Sequence, residues 1–223
     1  MIAIERSYNS RMVQNTVDIP TVRSSDTQRG DGDSAVRTPP GQTLTSKWPV
    51  LHYGSVPHID ASDWALRIWG LVENDVTLDW AQFNDLPKVH VFCDIHCVTH
   101  WSRLNNTFTG VSVNTLLDLT RPLASATHVI QHGRSAPGDD WTTNVPLDEF
   151  AADDCLLATH HEGVALTADH GGPVRGIVPR LYFWQGAKWI SGIELIDKDR
   201  PGFWEVNGYH MHGDPWTEER FGW

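Results

Sequence analysis

The sequence predicts an α+β fold made of several small mixed β-sheets and short helices. Stretches in which polar and apolar residues alternate are short and numerous, and this pattern is typical of β-strands. Helix signals between them cover only a few residues each, without the regular strand–helix alternation of a parallel βαβ sheet. The 223 residues, 40% hydrophobic and including 11 tryptophans, are sufficient for one sizeable domain with a core.

The composition excludes several classes of function. The formal net charge of −11 makes nucleic acid and anionic membranes poor partners, because their phosphates repel an acidic surface. No apolar run approaches the roughly 18–20 residues that span a bilayer, so no membrane span is expected. Three cysteines do not make a disulfide framework in a chain of this length. The first residues contain neither a long apolar region nor paired arginines, which predicts a cytoplasmic location.

Residues 1–47 differ in composition from the rest of the chain. They contain one aromatic residue, Tyr8, and are rich in Ser, Thr, Asp, Arg and Gly, so they offer little apolar surface for burial. They carry 6 Lys/Arg and 5 Asp/Glu, which leaves a net charge of −12 on the remainder. We therefore expect a polar, flexible or loosely docked N-terminal arm over residues 1–47 and one folded domain over residues 48–223.

The elements of the domain follow from local signals. Asp79 has the type and position of a helix N-cap, and Leu86-Pro87 would end the short helix that it starts. Local signals predict further elements, which are strands at 64–72, 76–78, 127–132 and 155–159, a turn and strand at 139–147, a turn into a short helix at 111–119, a short helix at 148–152, and a hairpin at 161–164. The aromatic tail beyond Arg200 is expected to wrap around the domain.

Residues 92–103 contain two of the three cysteines, two histidines, a tryptophan and an arginine. Alternation before and through this stretch predicts a strand. One face of that strand would carry the side chains of Val89, Val91, Cys93, Ile95 and Cys97. Cys97 would then lie where the strand ends in a polar loop, which is a suitable position for a reactive thiol or a metal ligand.

Three interpretations of the cysteines remain open at this point. Cys93, His96, Cys97 and His100 have the donor types of a zinc site, but four residues along a strand separate the two thiols by roughly 13 Å. Cys97 could instead be a nucleophile with a histidine as its base. Cys93 and Cys155 fit buried, inert thiols.

A second informative stretch covers residues 170–188. No Asp or Glu occurs from residue 170 to residue 192, although the domain is acidic, and Arg175, Arg180 and Lys188 are the cations of this window. Glycine-rich backbone with Arg and Lys is how proteins hold phosphate, although tight turns with solvated cations would also explain it. Together with a single soft ligand at Cys97, the stretch indicates a metal brought in by an anionic organic cofactor.

Four segments in this order resemble the molybdopterin-binding domain of the sulfite oxidase family. They are residues 52–57, 97–102, 141–147 and 170–188. The resemblance covers roughly residues 48–216 and implies the fold of that domain. It also implies that the Cys97 thiolate binds molybdenum and that the dithiolene of a pyranopterin supplies the other sulfurs. Arg103 would face the oxo pocket.

The resemblance also implies a set of contacts to the pyranopterin and its phosphate. The residues implied are His52, Tyr53, His132, His170, Arg175, Gly186, Ala187 and Lys188. Of these, Gly186 and Ala187 would present backbone amides to the phosphate, and Lys188 would add a cation.

The resulting expectation is a molybdenum-cofactor oxidoreductase that transfers an oxygen atom in a two-electron reaction. Its substrate would be a small oxo compound, either a sulfur oxyanion or a sulfoxide. No haem and no iron–sulfur ligand set is expected, so a separate electron-transfer partner is required. The alternative is a zinc-stabilised or cofactor-free binding domain that keeps the fold without redox activity.

Overall fold

The computed structural model describes residues 18–135 and 141–222, and it confirms the predicted α+β class. Within these residues the chain forms two mixed β-sheets, four short α-helices and a few 3₁₀ turns. The first 17 residues of the predicted arm, and Asp139 and Asp140 of a predicted turn, lie outside the described residues. In the described part of the chain, no helix is long and apolar enough to cross a membrane.

Most of the elements are short, as the sequence predicted, and β5 and β6 are the longest strands. The strands are β1 (Thr21–Arg23), β2 (Thr43–Leu44), β3 (Ala65–Gly70), β4 (Val76–Asp79), β5 (Lys88–Cys97), β6 (Trp101–Ser112), β7 (His128–Gly133), β8 (Trp141–Pro146), β9 (Leu156–His161), β10 (Val164–Ala165), β11 (Arg175–Ile177) and β12 (Ile190–Ile196). The helices are α1 (Trp80–Asp85), α2 (Val113–Thr120), α3 (Leu147–Phe150) and α4 (Phe203–Val206).

The first sheet has the order β1-β5-β6-β9-β10, with β2 beside β6 and β11 beside β9. Strands β5 and β6 form a long antiparallel hairpin in which Cys97 pairs with Trp101. Strand β1 is parallel to β5, and β2 is parallel to β6. The β5–β6 turn, which carries Cys97, therefore lies at one end of this sheet.

The second sheet has the order β4-β3-β12-β7-β8. Strands β3 and β12 are parallel, and the remaining pairs are antiparallel. Segment 170–188 lies between β10 and β12, so it connects the first sheet to the second.

Two clusters of buried apolar residues show that the first sheet is covered on both faces. The larger cluster includes Leu157 of β9 and residues of the second sheet, whereas the smaller one includes Leu156. Neighbouring residues of a strand point to opposite faces, so β9 contributes to both clusters. The smaller cluster also contains, as the alternation predicted, Val89, Val91, Cys93 and Ile95.

Local signals were accurate for α1 and for the hairpin after β9. Asp79 accepts a hydrogen bond from Gln82 N at 2.8 Å, and the Gln82 side chain accepts one from Asp79 N at 3.0 Å, which is a capping box. Glu162 and Gly163 both have positive φ at the β9–β10 turn, as a tight hairpin requires.

Strand β6 was missed by the sequence analysis, although it is 12 residues long. Its first half is polar, and Ser102 and Asn106 are nevertheless buried. They are buried at low cost because they have partners, such as the Cys93 carbonyl that accepts a hydrogen bond from Asn106 at 3.2 Å.

The prediction of a loosely docked arm is wrong for residues 18–47. Strand β1 adds to the edge of β5, and the buried Arg37 makes a bidentate ion pair with Asp94 at 2.9 and 2.6 Å. Composition did not reveal this docking, because it depends on main-chain pairing and on a polar contact to a distant strand. The folded body therefore begins before Trp48.

The C-terminal tail packs on the domain as expected. Tyr209 forms a bridge with Phe221, and Trp216 donates to Asp26 at 3.3 Å. The guanidinium of Arg29 also lies 4.0 Å from the centre of the Trp216 ring. Residues 26–29 and the C-terminal tail thus contact each other.

Candidate active site

Cys97 is the last residue of β5, and its half-buried thiol lies at a turn that leads into β6. Its Sγ is 3.2 Å from the hydroxyl of Thr99. Burial raises the pKa of the thiol, whereas the Thr99 hydrogen bond and the charges of Arg220 and Lys188 act in the opposite direction. The surroundings therefore include a donor and two cations for a thiolate.

Cys97 opens onto a cavity of about 270 Å³ that is largely apolar. Five segments form it, which are the β5–β6 turn, residues 48–53, the start of β8 at Trp141, the stretch from Arg175 to Trp189, and the C-terminal tail. Six of the residues predicted for the site line this one cavity, namely His52, Tyr53, Cys97, Arg175, Gly186 and Lys188.

Arg175 provides the buried positive charge of the site. Its guanidinium donates to the carbonyl oxygens of His170 at 3.0 Å and of Gly186 at 3.2 Å, and it lies 4.1 Å from the centre of the Phe183 ring. Burial lowers the pKa of Arg175 to about 9, and the nearby Cys97 thiol raises it. The group remains a cation at neutral pH.

Lys188 lies on the same wall of the cavity. Its ammonium donates to the carbonyl oxygens of Asp169 at 2.6 Å and Leu51 at 2.8 Å, so it ties segment 48–53 to the second stretch. Burial, followed by the charge of Arg175, lowers the pKa of Lys188 to about 7. An anion in the cavity would raise that pKa and keep the amine charged.

His170 lies next to the cavity rather than in its lining. Its ring stacks on Trp48 with centroids 3.9 Å apart, and burial lowers its pKa to about 4, so the ring is neutral at pH 7. Among the described residues, its buried Nδ1 has no hydrogen-bond partner. This nitrogen is therefore an unpaired buried polar atom in a residue whose carbonyl accepts a hydrogen bond from Arg175.

The backbone amides at 186 and 187 differ from the expectation. The amide of Ala187 donates to Gln131 Oε1 at 3.1 Å, and that of Gly186 approaches Phe183 O at 3.5 Å. Ala187 is fully buried and does not line the cavity, so its amide does not face a phosphate there. Gly186 has a packing role, since a Cβ at this position would come within 2.9 Å of the Gly176 carbonyl carbon.

Two further predicted residues lie away from the cavity lining. His132 is on β7 in the second sheet, where its ring packs on Trp69 and its Nε2 is 3.3 Å from Glu194. Arg103 is on β6, where it donates to Asn106 and to Ser46 O at 3.3 Å. The roles predicted for these two residues therefore receive no support from the cavity.

The described residues do not provide a zinc site. No group of three or more His, Cys, Asp or Glu side chains in that part of the chain could hold a metal ion. Cys93 is buried in the smaller apolar cluster, His96 Nδ1 pairs with Ser102 Oγ at 2.8 Å, and His100 Nδ1 pairs with Gly41 O at 2.9 Å. Both histidines are thus engaged away from Cys97, and a base for a thiol nucleophile has no support either.

The aromatic walls of the cavity were not predicted from the sequence. The aromatic lining residues outside the predicted site are Trp48, Trp101, Trp141, Phe183, Trp184, Trp189, Trp204 and Tyr209. Burial raises the pKa of Tyr209, and the charge of Cys97 raises it further, so the phenol lies near the thiol. The abundance of tryptophan was a signal for these walls, but it carried no information about position.

The residues of the cavity fit a pyranopterin cofactor with one protein thiolate. Among the described residues that line the cavity, Cys97 is the one soft ligand, and no group of three or more His, Cys, Asp or Glu side chains forms a metal site there, so the remaining ligands would come from a cofactor. Arg175 and Lys188 supply charge for a phosphate, and the buried Trp101 Nε1 has no partner among the described residues. The flat aromatic walls suit a fused ring system.

Comparisons with known proteins agree with this geometry. A family model described as an oxidoreductase molybdopterin binding domain matches residues 53–204. The uncharacterized oxidoreductase YuiH of Bacillus subtilis (strain 168) is 45% identical over 192 residues, which are 86% of this chain and 95% of that protein. Sulfite oxidase of Arabidopsis thaliana is 24% identical over 78% of this chain, which spans only 54% of that protein.

One solved structure supports the fold alone. The sulfane dehydrogenase SoxCD from Paracoccus pantotrophus superimposes with a TM-score of 0.58 at 21% identity, over 66% of this chain and 41% of that one. The family match over most of the chain and the similarity to YuiH along nearly its whole length confirm the resemblance seen in the sequence. The chain therefore belongs to the sulfite oxidase-like oxidoreductases with a molybdopterin-binding domain.

Proposed function

We propose that this chain catalyses a two-electron oxygen-atom transfer on a small oxo-substrate, a sulfur oxyanion or a sulfoxide, with a molybdenum pyranopterin cofactor. The observation that carries the proposal is the convergence of Cys97, Arg175 and Lys188 on one cavity. A soft metal ligand and two cations for a phosphate are what such a cofactor requires from its protein.

The chain's own residues would bind and orient the cofactor. Cys97 would hold the metal through its thiolate, and the Thr99 hydroxyl, 3.2 Å away, would donate to that sulfur. Arg175 uses three of its five N–H groups on the carbonyls of His170, Gly176 and Gly186, so the other two would be free to donate to an anion. Lys188 would gain a phosphate partner in place of a carbonyl.

The apolar walls would exclude water from the reacting groups. Low polarity strengthens the interactions of the two cations with an anionic cofactor and keeps the site ordered. When bound, the cofactor supplies the two-electron change and exchanges an oxygen atom with the substrate. Electrons would pass to or from a separate protein partner, without a haem in this chain, and a cytoplasmic location remains our prediction.

Metal content tests the proposal directly. We expect the full chain, produced in a host that makes the molybdenum cofactor, to contain close to one equivalent of molybdenum and to give a Mo(V) electron paramagnetic resonance signal on partial reduction. Cys97→Ser should lose the oxidoreductase activity and change the signal. Cys155→Ser is the matched control, because Cys155 is buried away from the cavity.

Two outcomes would contradict the proposal. One is only trace molybdenum in wild-type protein from a competent host. The other is wild-type turnover of a dye-linked substrate by Cys97→Ser. Stoichiometric zinc without molybdenum would instead favour the alternative of a zinc-stabilised binding domain, which the described residues do not support.

A further inference from the structure

The turn that carries Cys97 is held by residues from distant parts of the chain. The Cys97 carbonyl accepts a hydrogen bond from the Gln42 side-chain amide at 3.0 Å and one from His100 N at 3.1 Å. The His100 carbonyl accepts a hydrogen bond from Thr43 N at 2.9 Å. Two carbonyls of a four-residue turn are thus fixed by Gln42 and Thr43, which belong to the docked segment 18–47.

Arg220, near the C-terminus, holds the next carbonyl of the same turn. Its Nη1 donates to Val98 O at 2.8 Å, and its Nη2 donates to Pro40 O at 3.2 Å. The Arg220 residue is 6% exposed, and its guanidinium lies 5.0 Å from the centre of the Tyr182 ring. One buried side chain therefore connects the C-terminal tail, the N-terminal segment and the turn after β5.

The backbone around Arg220 leaves room for this arrangement only with glycine at position 41. Gly41 has a φ of +68°, and a Cβ there would lie 3.0 Å from Arg220 Nη2. A β-carbon is disfavoured at such a φ and would also displace the guanidinium. The close approach of the two terminal segments is thus built into the local conformation.

Stability alone does not account for a buried arginine at this place. Burying a guanidinium is costly, and Nε has no partner among the described residues. The carboxylate nearest to it is that of the half-exposed Glu218, with Nη2 and Oε1 3.6 Å apart. The strong contacts of Arg220 are directed at two main-chain oxygens, of which that of Val98 belongs to the residue next to Cys97.

We propose that Arg220 and Gln42 are positioning residues for the Cys97 ligand. By fixing the carbonyls of Val98 and Cys97, they set the direction in which the Cys97 Sγ enters the cavity, and Arg220 adds a fixed positive charge beside it. This inference rests on the proposed role of Cys97 as the metal ligand. Docking of residues 18–47 and of the tail is then a requirement of the site as well as of the fold.

Hydrogen exchange tests the positioning without any reference to activity. In the full-length protein as purified, we expect amides of residues 97–103 to exchange roughly tenfold faster in Arg220→Gln and Gln42→Ala than in wild type, as loss of a hydrogen bond in a buried turn predicts. Arg220→Lys keeps the positive charge and an ammonium that can donate to a carbonyl, but it loses the fork that reaches two carbonyls, so it should recover part of the protection. Arg67→Gln is the matched control, because Arg67 is exposed on the second sheet.

The Mo(V) signal provides a second readout in the same preparations. We expect Arg220→Gln to give a broadened or multiple signal and a lower midpoint potential, since removal of a positive charge favours the oxidised metal, and Arg220→Lys to restore most of the wild-type signal. Wild-type exchange and a wild-type signal in both Arg220→Gln and Gln42→Ala would overturn the proposal. So would faster exchange spread evenly over the whole chain.

Failure of the proposed function gives a different result. In that case the wild-type protein itself lacks molybdenum and the Mo(V) signal, whereas the exchange experiment still reports whether Arg220 and Gln42 hold the turn. If Arg220→Gln does not fold, Gln42→Ala and Arg220→Lys decide the question.

Discussion

Arg37→Met is the perturbation that tests whether residues 18–47 belong to the fold. Arg37 and Asp94 form two hydrogen bonds at 2.9 and 2.6 Å, and Arg37 donates a third to Asn105 Oδ1 at 2.8 Å. The pair is almost fully buried, with Arg37 6% and Asp94 1% exposed. Methionine keeps the apolar length of the arginine side chain but removes its charge and all its donors.

The expected cost follows from what the substitution leaves behind. Asp94 would remain buried with the amide of Asn105 as its donor, at 2.9 Å. Removing one partner of a buried ion pair costs about 3–5 kcal/mol, a large part of the roughly 5–15 kcal/mol that stabilises a typical domain. Arg37→Met combined with Asp94→Asn should cost less than Arg37→Met alone, because the uncompensated charge is then absent.

Urea denaturation of the two variants and wild type measures these free energies. Arg67→Met is the control, since Arg67 pairs with Asp75 on the surface at 3.2 Å and exposed pairs contribute about 0–1 kcal/mol. An Arg37→Met variant as stable as Arg67→Met would refute the docking of this segment. A double variant less stable than Arg37→Met would refute the argument about the buried charge.

Three further predictions concern the cavity. Burial raises the pKa of Glu205 to about 7 from its usual 4.5, so the unfolded chain loses this proton at lower pH than the folded protein, and the stability of the wild type falls as pH rises from 4.5 to 7. Glu205→Gln lacks this titration and should gain up to about 3 kcal/mol relative to wild type across that window. Thermal unfolding of both proteins from pH 4 to 8 measures the difference, and parallel stability profiles would contradict the prediction. Gly186→Ala should be destabilised by about 1–3 kcal/mol, because its Cβ would meet Gly176. In the control Gly163→Ala the Cβ meets no atom within 4 Å, so only the positive φ of this residue destabilises the variant. Urea unfolding compares the two variants, and equal stabilities would argue against the close approach of Gly186 to Gly176. Iodoacetamide should alkylate Cys97 in cofactor-free protein but not in molybdenum-replete protein. Mass spectrometry of the peptide that contains Cys97 measures the labelling, and equal labelling of both proteins would argue against a metal–thiolate bond.

Much of the local structure could be predicted from the sequence, because its causes lie within a few residues. The cap of α1 depends on Asp79 and Gln82, and the turn after β9 depends on Glu162 and Gly163. Strand β5 was recognised from its alternation. The order of the cysteine and glycine-rich segments was also sufficient to identify the family, which the comparisons confirmed.

The sequence could not show which residues meet at the site. Cys97, Arg175 and Lys188 are brought together because segment 170–188 connects the two sheets, and no local pattern encodes that contact. The amide of Ala187 was predicted to face a ligand, but Gln131, 56 positions away, accepts its hydrogen bond instead. The composition likewise did not indicate that aromatic residues of the C-terminal tail form one wall of the cavity.

The N-terminal segment shows most clearly what only the tertiary structure decided. The polar composition of residues 18–47 predicted little burial, since the segment has few apolar side chains to place in a core. Its docking comes instead from β1–β5 pairing, from the Arg37–Asp94 ion pair and from Gln42 at the turn after β5. These interactions depend on partners more than fifty residues away. The sequence by itself was sufficient to predict the type of cofactor and most local elements and to propose Cys97 as the metal ligand, whereas only the tertiary structure shows which long-range polar contacts hold the turn that carries Cys97.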